Sequence, residues 1–294
     1  MQDISIENML SMLGDGEPIF RSKEPIKEPI KEIKFNNSLD IQVVNDNGGF
    51  FPETPKMKEN IIPTHPFRSQ FLGQTSSGKS NLLVNLLKKP DFYKDYFDEI
   101  YLISLTGHAD QTFEVLNLPE NHIIDKDLEE WAEKAVYDWT EESKRMGVTN
   151  IPRRLVIFED LTANKDLIKS DAFIVFFVQS RHFNCSIMTS IHRLKAVPPT
   201  IRDNTSNWYI FEPSENTIDI LVKDILPLGW TRQGFKKAIT YAFKMKSKNK
   251  RPFIQMWFQY KSTRGKVRLN LDQVLNPDYF NNNDLDIGEV IKNQ

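Results

Sequence analysis

The sequence is poor in cysteine and in long apolar runs. Of 294 residues, only Cys185 is a cysteine, which excludes a disulfide framework and a zinc site built from cysteines. Such usage is typical of a reducing compartment. No apolar run approaches the roughly 18 residues of a membrane-spanning helix, and the N-terminus lacks the apolar segment of a signal peptide. We therefore expect a soluble, intracellular protein without a membrane span.

An excess of one charge is also absent, because 38 Lys and Arg residues nearly balance 40 Asp and Glu residues. The net charge of −2 provides no global field that would attract nucleic acid, so any such contact must be local. Hydrophobic residues make up 39% of the chain, which is enough for a sizeable core. The length indicates one large domain, or one domain with appendages.

The first 60 residues differ from the rest. A Glu-Pro-Ile-Lys repeat occupies 24–31, where the prolines forbid a helix and the alternating charges stay hydrated. This segment is interpreted as a flexible tether or, alternatively, as a docking tail for another protein. We predict a flexible, low-complexity tail over 1–60, a folded domain over 61–275 and a loose, Asn-rich tail over 276–294.

The folded part contains a motif of the form G-x-x-x-x-G-K-[ST], the phosphate-binding P-loop. A strand is predicted before it at 67–72, and a helix after it at 81–89. The glycines let backbone N–H groups turn around phosphates, and the helix dipole points at the same anion. Lys79 would bridge the β- and γ-phosphates, and Ser80 would offer its hydroxyl to Mg²⁺. The predicted nucleotide-binding residues are Gly73, Gln74, Thr75, Ser76, Ser77, Gly78, Lys79 and Ser80.

A second motif lies at 155–160, where four apolar residues precede two carboxylates. The apolar run predicts a central strand, whose end would hold Glu159 and Asp160 at the carboxyl edge of a parallel sheet, beside the nucleotide. One carboxylate would hold Mg²⁺, directly or through water, and the other would orient the attacking water. ATP and Mg²⁺ are therefore the expected ligands, with Ser80, Glu159 and Asp160 on the metal side.

Strand-like and helix-like segments alternate along the folded part. Strands are predicted at 99–105, 185–192 and 208–211, and helices at 128–139, 167–179, 215–225 and 231–245. This alternation predicts an α/β fold, a three-layer αβα sandwich around a mostly parallel sheet. Two further strands at 253–260 and 266–271 flank a short turn and predict a C-terminal β-hairpin.

A third stretch, 180–204, contains an arginine, a strand that ends in polar residues and a proline turn. With the two motifs above, it makes the sequence resemble the FtsK–HerA superfamily of DNA-pumping P-loop ATPases. Within that superfamily the sequence is similar to the genome-packaging ATPases of poxviruses, giant viruses, virophages and Polinton-type elements. The resemblance covers residues 61–275. The third stretch discriminates best, since many ATPases share the first two.

The resemblance implies roles for five residues. Lys79 binds phosphate, Glu159 matches a first acid that contacts Mg²⁺, and Asp160 matches a second acid that activates water. The family usually has Asp-Asp or Asp-Glu here, so the pair in this chain leaves open which carboxylate has which role. His192 stands where the family often has a glutamine that senses the γ-phosphate. Arg181 matches an arginine finger that completes a neighbouring subunit's site, with a cation capping a helix C-terminus as the alternative.

An arginine finger between subunits implies a ring-shaped homo-oligomer. The resemblance further implies double-stranded DNA and capsid or virion proteins as partners, and a location in the virion or in a viral factory of the host-cell cytoplasm. Arg202 is a second candidate for the finger. Candidates for DNA contact are the basic run at 244–251, with a solvated helix end as the alternative, and Lys165, Lys169 and Lys195. The leading hypothesis is an ATP-driven DNA translocase that packages a viral genome into a preformed capsid.

Three alternatives stay open. A cellular or plasmid translocase of the same superfamily would share the fold and the site. A nucleotide or nucleoside kinase would need an acceptor pocket and a lid, and the sequence has no clear lid. A structural protein that uses ATP only to assemble is disfavoured by the intact Lys79, Ser80, Glu159 and Asp160. Phosphate release that rises with DNA would separate a translocase from the kinase and the structural protein.

Overall fold

The computed structural model describes residues 61–103, 111–244, 251–258, 266–271 and 273–282. The predicted flexible tail at 1–60 lies outside the described residues, as do 245–250 of the basic run and 283–294 of the predicted C-terminal tail. The predicted start of the folded domain at residue 61 therefore stays a prediction.

Within the described residues, nine strands form one sheet. The strands are β1 (Arg68–Leu72), β2 (Glu99–Ile103), β3 (Ile123–Ile124), β4 (Arg154–Phe158), β5 (Cys185–Ile191), β6 (Asn207–Phe211), β7 (Phe253–Trp257), β8 (Lys266–Leu269) and β9 (Gln273–Leu275). The α-helices are α1 (Lys79–Lys88), α2 (Gln111–Glu114), α3 (Leu128–Met146), α4 (Asp171–Gln179), α5 (Pro199–Asp203), α6 (Glu215–Asp224), α7 (Arg232–Lys244) and α8 (Pro277–Asn282).

The strand order is β3-β2-β4-β5-β1-β6-β7-β8-β9. Neighbouring strands run parallel from β3 through β6, and antiparallel from β6 through β9. The mostly parallel sheet is thus confirmed, as is the predicted hairpin, formed by β7 and β8. Strand β1, which leads into the P-loop, lies between β5 and β6 in the middle of the sheet.

Each face of the sheet has its own apolar core, because side chains alternate between the two faces of a strand. On β4, Leu155 and Ile157 belong to the core that α1 covers, whereas Val156 and Phe158 belong to the core that α3, α4 and α7 cover. Helices on both faces confirm the three-layer sandwich. Cys185 is fully buried in the second core, as expected of a packed thiol, and burial raises its pKa.

The structure differs from the sequence-based expectation in two places. The helix predicted over 167–179 is divided, because Ser170 is extended and its hydroxyl accepts a hydrogen bond at 3.2 Å from the backbone N–H of Phe173, capping α4. The tail predicted to be loose from residue 276 instead begins with α8. This helix is held by Phe280, which is 5% exposed and packs against the rings of Trp230 and Tyr241.

No helix in the described part of the chain has the length and apolar character needed to cross a membrane.

Candidate active site

The P-loop connects the end of β1 to the start of α1. Gly78, directly before the helix, has a φ of 108°, a conformation that glycine adopts most readily. Gly73 is needed for a different reason: a Cβ there would lie 2.6 Å from Ser77 Oγ and 2.8 Å from Phe211 Cβ. The two glycines therefore allow the tight loop that turns backbone N–H groups towards an anion.

Lys79 lies over this loop. Its Nζ donates hydrogen bonds to the carbonyl oxygens of Gly73 and Gln74, both at 3.0 Å, and is 3.4 Å from Nδ1 of His192. Burial lowers the pKa of Lys79, and the negative charges of Glu159 and Asp160 oppose that shift. The three N–H donors of the ammonium thus face three nearby acceptors, for which phosphate oxygens are natural replacements.

Ser80 and Glu159 form the second part of the site. Ser80 Oγ donates a hydrogen bond to Glu159 Oε1 at 2.9 Å, and Glu159 is 7% exposed at the end of β4. Hard oxygen donors of this kind suit Mg²⁺, which needs only one or two protein ligands when it also binds phosphate and water. The described residues contain no group of three or more potential metal ligands among His, Cys, Asp and Glu.

Asp160 and His192 form the third part. The imidazole Nε2 of His192 is in contact with Asp160 Oδ1, while Nδ1 faces the Lys79 ammonium. An ammonium can only donate, so a hydrogen bond from Lys79 to Nδ1 assigns the ring proton to Nε2, which then donates to Asp160. The backbone N–H of His192 also donates to Thr162 Oγ1 at 3.4 Å. A continuous polar chain thus runs from Lys79 through His192 to Asp160.

The structure brings five of the predicted catalytic and metal-side residues together: Lys79, Ser80, Glu159, Asp160 and His192. Arg181 is not among them. It is exposed, in a turn that precedes β5, and β5 runs parallel to β1, so Arg181 lies at the sheet edge opposite to the P-loop. Burial of Arg68 and, to a smaller extent, the positive charge of Arg181 lower the pKa of Arg68 to about 10. Arg202 instead forms an ion pair at 3.3 Å with Asp224.

The structure brings to the P-loop one residue that the sequence did not point to, Phe211, and one that had been assigned only to the basic run, Arg251. Phe211 ends β6 and packs against the P-loop glycines, and Arg251, from the basic run, comes within 3.0 Å of the Cβ position of Gly78. A cavity of about 540 Å³ opens beside the loop, with Phe211 and His192 in its wall. Only the strand order, which places β6 next to β1, could have identified Phe211.

Comparisons with known proteins identify one family. The profile of the family described as Poxvirus A32 protein matches residues 55–278. No curated protein matches the chain. Among solved structures, the genome packaging NTPase B204 from Sulfolobus turreted icosahedral virus 2 in complex with AMP is 13% identical, with a TM-score of 0.49, and the match covers 70% of this chain and 98% of that one.

Two further structures are similar to a lesser degree. B204, the DNA-packaging ATPase from Sulfolobus turreted icosahedral virus, is 13% identical with a TM-score of 0.47, covering 69% of this chain and 98% of that chain. EssC (ATPases 2 and 3) from Geobacillus thermodenitrificans is 13% identical with a TM-score of 0.43, covering 77% of this chain and 42% of that chain.

Proposed function

The chain belongs to the Poxvirus A32 protein family, and we propose from this that it is an ATP-driven translocase that packages double-stranded DNA of a viral genome into a preformed capsid. The observation that carries the proposal is the convergence of Lys79, Ser80, Glu159, Asp160 and His192 at one edge of a parallel sheet. A phosphate-binding loop beside two carboxylates is suited to hydrolysing a nucleoside triphosphate with water.

Nucleotide binding follows from the P-loop contacts. Lys79 would exchange the carbonyl oxygens of Gly73 and Gln74 for phosphate oxygens, with the positive end of the α1 dipole directed at the same anion. Bound Mg²⁺ supplies charge neutralisation for the phosphates. Ser80 Oγ and the Glu159 carboxylate would hold it, because they are adjacent oxygen donors next to Lys79.

The two carboxylates then have separate roles. Glu159 is buried and already bonded to Ser80, so we assign it to the metal side. The Asp160 side chain is 45% exposed, so water can reach it, and His192 holds one of its oxygens. We therefore assign Asp160 as the general base that takes a proton from the attacking water, and His192 as the residue that orients it.

The ring is part of the proposal. Arg181 lies at the sheet edge opposite to its own P-loop, so it is not placed to contact a nucleotide bound there. Its side chain is exposed. It is therefore available to a neighbouring subunit, where an arginine would stabilise the charge that develops on the transferred phosphoryl group. A head-to-tail interface whose rotation closes gives a cyclic oligomer, and we propose such a ring here. Capsid proteins as partners, and a location in the virion or in a viral factory, follow from the packaging role.

The test is steady-state phosphate release by the full chain, with and without long double-stranded DNA. We expect DNA to raise the rate of phosphate release by the wild type, and Lys79→Ala to abolish release. The control is Lys88→Ala, which changes an exposed residue at the other end of α1 and should leave the rate of release unchanged. Adding Arg181→Ala subunits to wild type should lower activity more than in proportion to their share. ATP binding without turnover, or turnover indifferent to DNA, would overturn the proposal.

A further inference from the structure

A second cavity, of about 410 Å³, adjoins the active site. Asp160 and His192 form part of its wall, and four further lining residues are cations: Lys165, Lys169, Arg193 and Lys195. All four cations are exposed. We refer to these four residues as the cationic pocket.

The charge of the cationic pocket is poorly compensated. Within the part of the chain that the structure describes, none of its four cations forms an ion pair, whereas Lys144, Arg153, Arg202 and Lys236 all do. Asp160 is the one carboxylate among the lining residues, and it is in contact with His192. A concave surface lined by charges of one sign concentrates ions of the opposite sign, so the pocket favours an anion.

The topology explains why the four cations meet. Lys165 and Lys169 lie in the segment that follows β4, and Arg193 and Lys195 lie in the segment that follows β5. These two strands are parallel neighbours, so both segments leave the sheet at the edge where the P-loop lies. The pocket is therefore built next to the hydrolysis site.

We propose that the cationic pocket grips backbone phosphates of double-stranded DNA beside the catalytic carboxylate. The inference rests on the proposed function, because it names the surface through which that function meets its substrate. Exposed Lys and Arg side chains make phosphate contacts that do not depend on base sequence, as packaging of a whole genome requires. Arg193 directly follows His192, so a phosphate held by Arg193 is connected through the backbone to the residue that orients Asp160.

The test compares the full-chain double variant Lys165→Ala/Lys169→Ala with Lys88→Ala/Lys89→Ala. The control removes the same charge from exposed lysines at the end of α1, roughly 15 Å along the helix from the P-loop. Fluorescence anisotropy measures duplex DNA binding against salt concentration, and phosphate release is measured with and without DNA. We expect the pocket variant alone to bind DNA about tenfold more weakly, with a salt slope lower by about 2, as for two lost phosphate contacts.

Basal hydrolysis without DNA is measured in both variants, and the effect of DNA is expressed as a ratio to it, because Lys165 and Lys169 line the same cavity as Asp160. Lys165→Arg/Lys169→Arg should restore DNA binding, which separates loss of charge from loss of folding. An unchanged salt slope and unchanged DNA stimulation in the alanine variant would overturn the inference while leaving the proposed function intact. Altered inhibition by inorganic phosphate with normal DNA binding would also overturn it, and would assign the pocket to released phosphate. If wild type itself neither binds DNA nor responds to it, the proposed function falls as well.

Discussion

Two isosteric substitutions test the division of labour between the adjacent carboxylates. Asp160→Asn keeps a side-chain oxygen that can accept the hydrogen bond from Nε2 of His192, but an amide cannot take a proton from water. Glu159→Gln likewise keeps an acceptor for Ser80 Oγ, which now lies 2.9 Å from Oε1, but removes a negative charge from the metal side. Each variant thus preserves the local geometry and removes one chemical property.

The expected losses differ in kind. Loss of a general base typically costs about 10²–10⁴-fold in rate, or about 3–5 kcal/mol of barrier, so Asp160→Asn should remain slow at any Mg²⁺ concentration. Weakening a metal site by one charged or supporting group typically costs about 10–100-fold in metal affinity. Glu159→Gln should therefore need about 10–100-fold more Mg²⁺, and should recover much of its rate once Mg²⁺ is saturating.

Single-turnover hydrolysis against Mg²⁺ concentration, with ATP binding measured on the same samples, separates the two effects. Both variants should bind ATP at high Mg²⁺, since Lys79 and the loop are unchanged. The reasoning would be refuted if excess Mg²⁺ rescued Asp160→Asn while Glu159→Gln stayed slow, because the two roles would then be reversed.

Two further predictions concern the scaffold. Arg154 is 4% exposed and bonds Glu99 at 2.7 Å and Glu142 at 2.6 Å, so Arg154→Met should lower the free energy of unfolding by about 3 kcal/mol in urea denaturation. Arg153→Met, which breaks a more exposed ion pair, should cost about 1 kcal/mol or less, and equal losses would contradict this ranking. Burial lowers the pKa of His65 from 6.5 to about 4. As the pH falls, the unfolded chain therefore takes up a proton on His65 at a higher pH than the folded chain does. Stability present above pH 6.5 should therefore be lost as the pH falls towards 4, by up to about 1.4 kcal/mol per pH unit. His65→Asn should lack this component, and identical pH profiles for both proteins would rule out a buried neutral imidazole.

Much of the fold, together with the phosphate loop and the two carboxylates of the candidate site, was accessible from the sequence because these signals are local. The P-loop is eight consecutive residues between a strand and a helix, and its glycines and lysine must be adjacent to act together. The unbroken apolar run in β4 predicted a central strand, which the structure buries on both faces, and the two carboxylates directly follow that run. Helices and strands in alternation were enough to predict the three-layer sandwich.

Hydrophobic periodicity failed in two places, one decided by a local cap and the other by neighbours in space. The division of the helix predicted over 167–179 depends on one serine cap, and the order of the C-terminal helix α8 depends on a pocket for Phe280 formed by Trp230 and Tyr241. Both depend on contacts that hydrophobic periodicity does not encode.

The sequence by itself determined which chemistry the chain carries: a phosphate loop, two carboxylates, a histidine and an arginine. Only the tertiary structure decided how they are grouped. Strand order places His192 between Lys79 and Asp160, and strand direction places Arg181 at the opposite edge of the sheet. The tertiary structure also brings together four cations in one pocket: Lys165, Lys169, Arg193 and Lys195. The physical reason is that strand order and direction are set by long-range packing of the two cores, which no short stretch of sequence specifies.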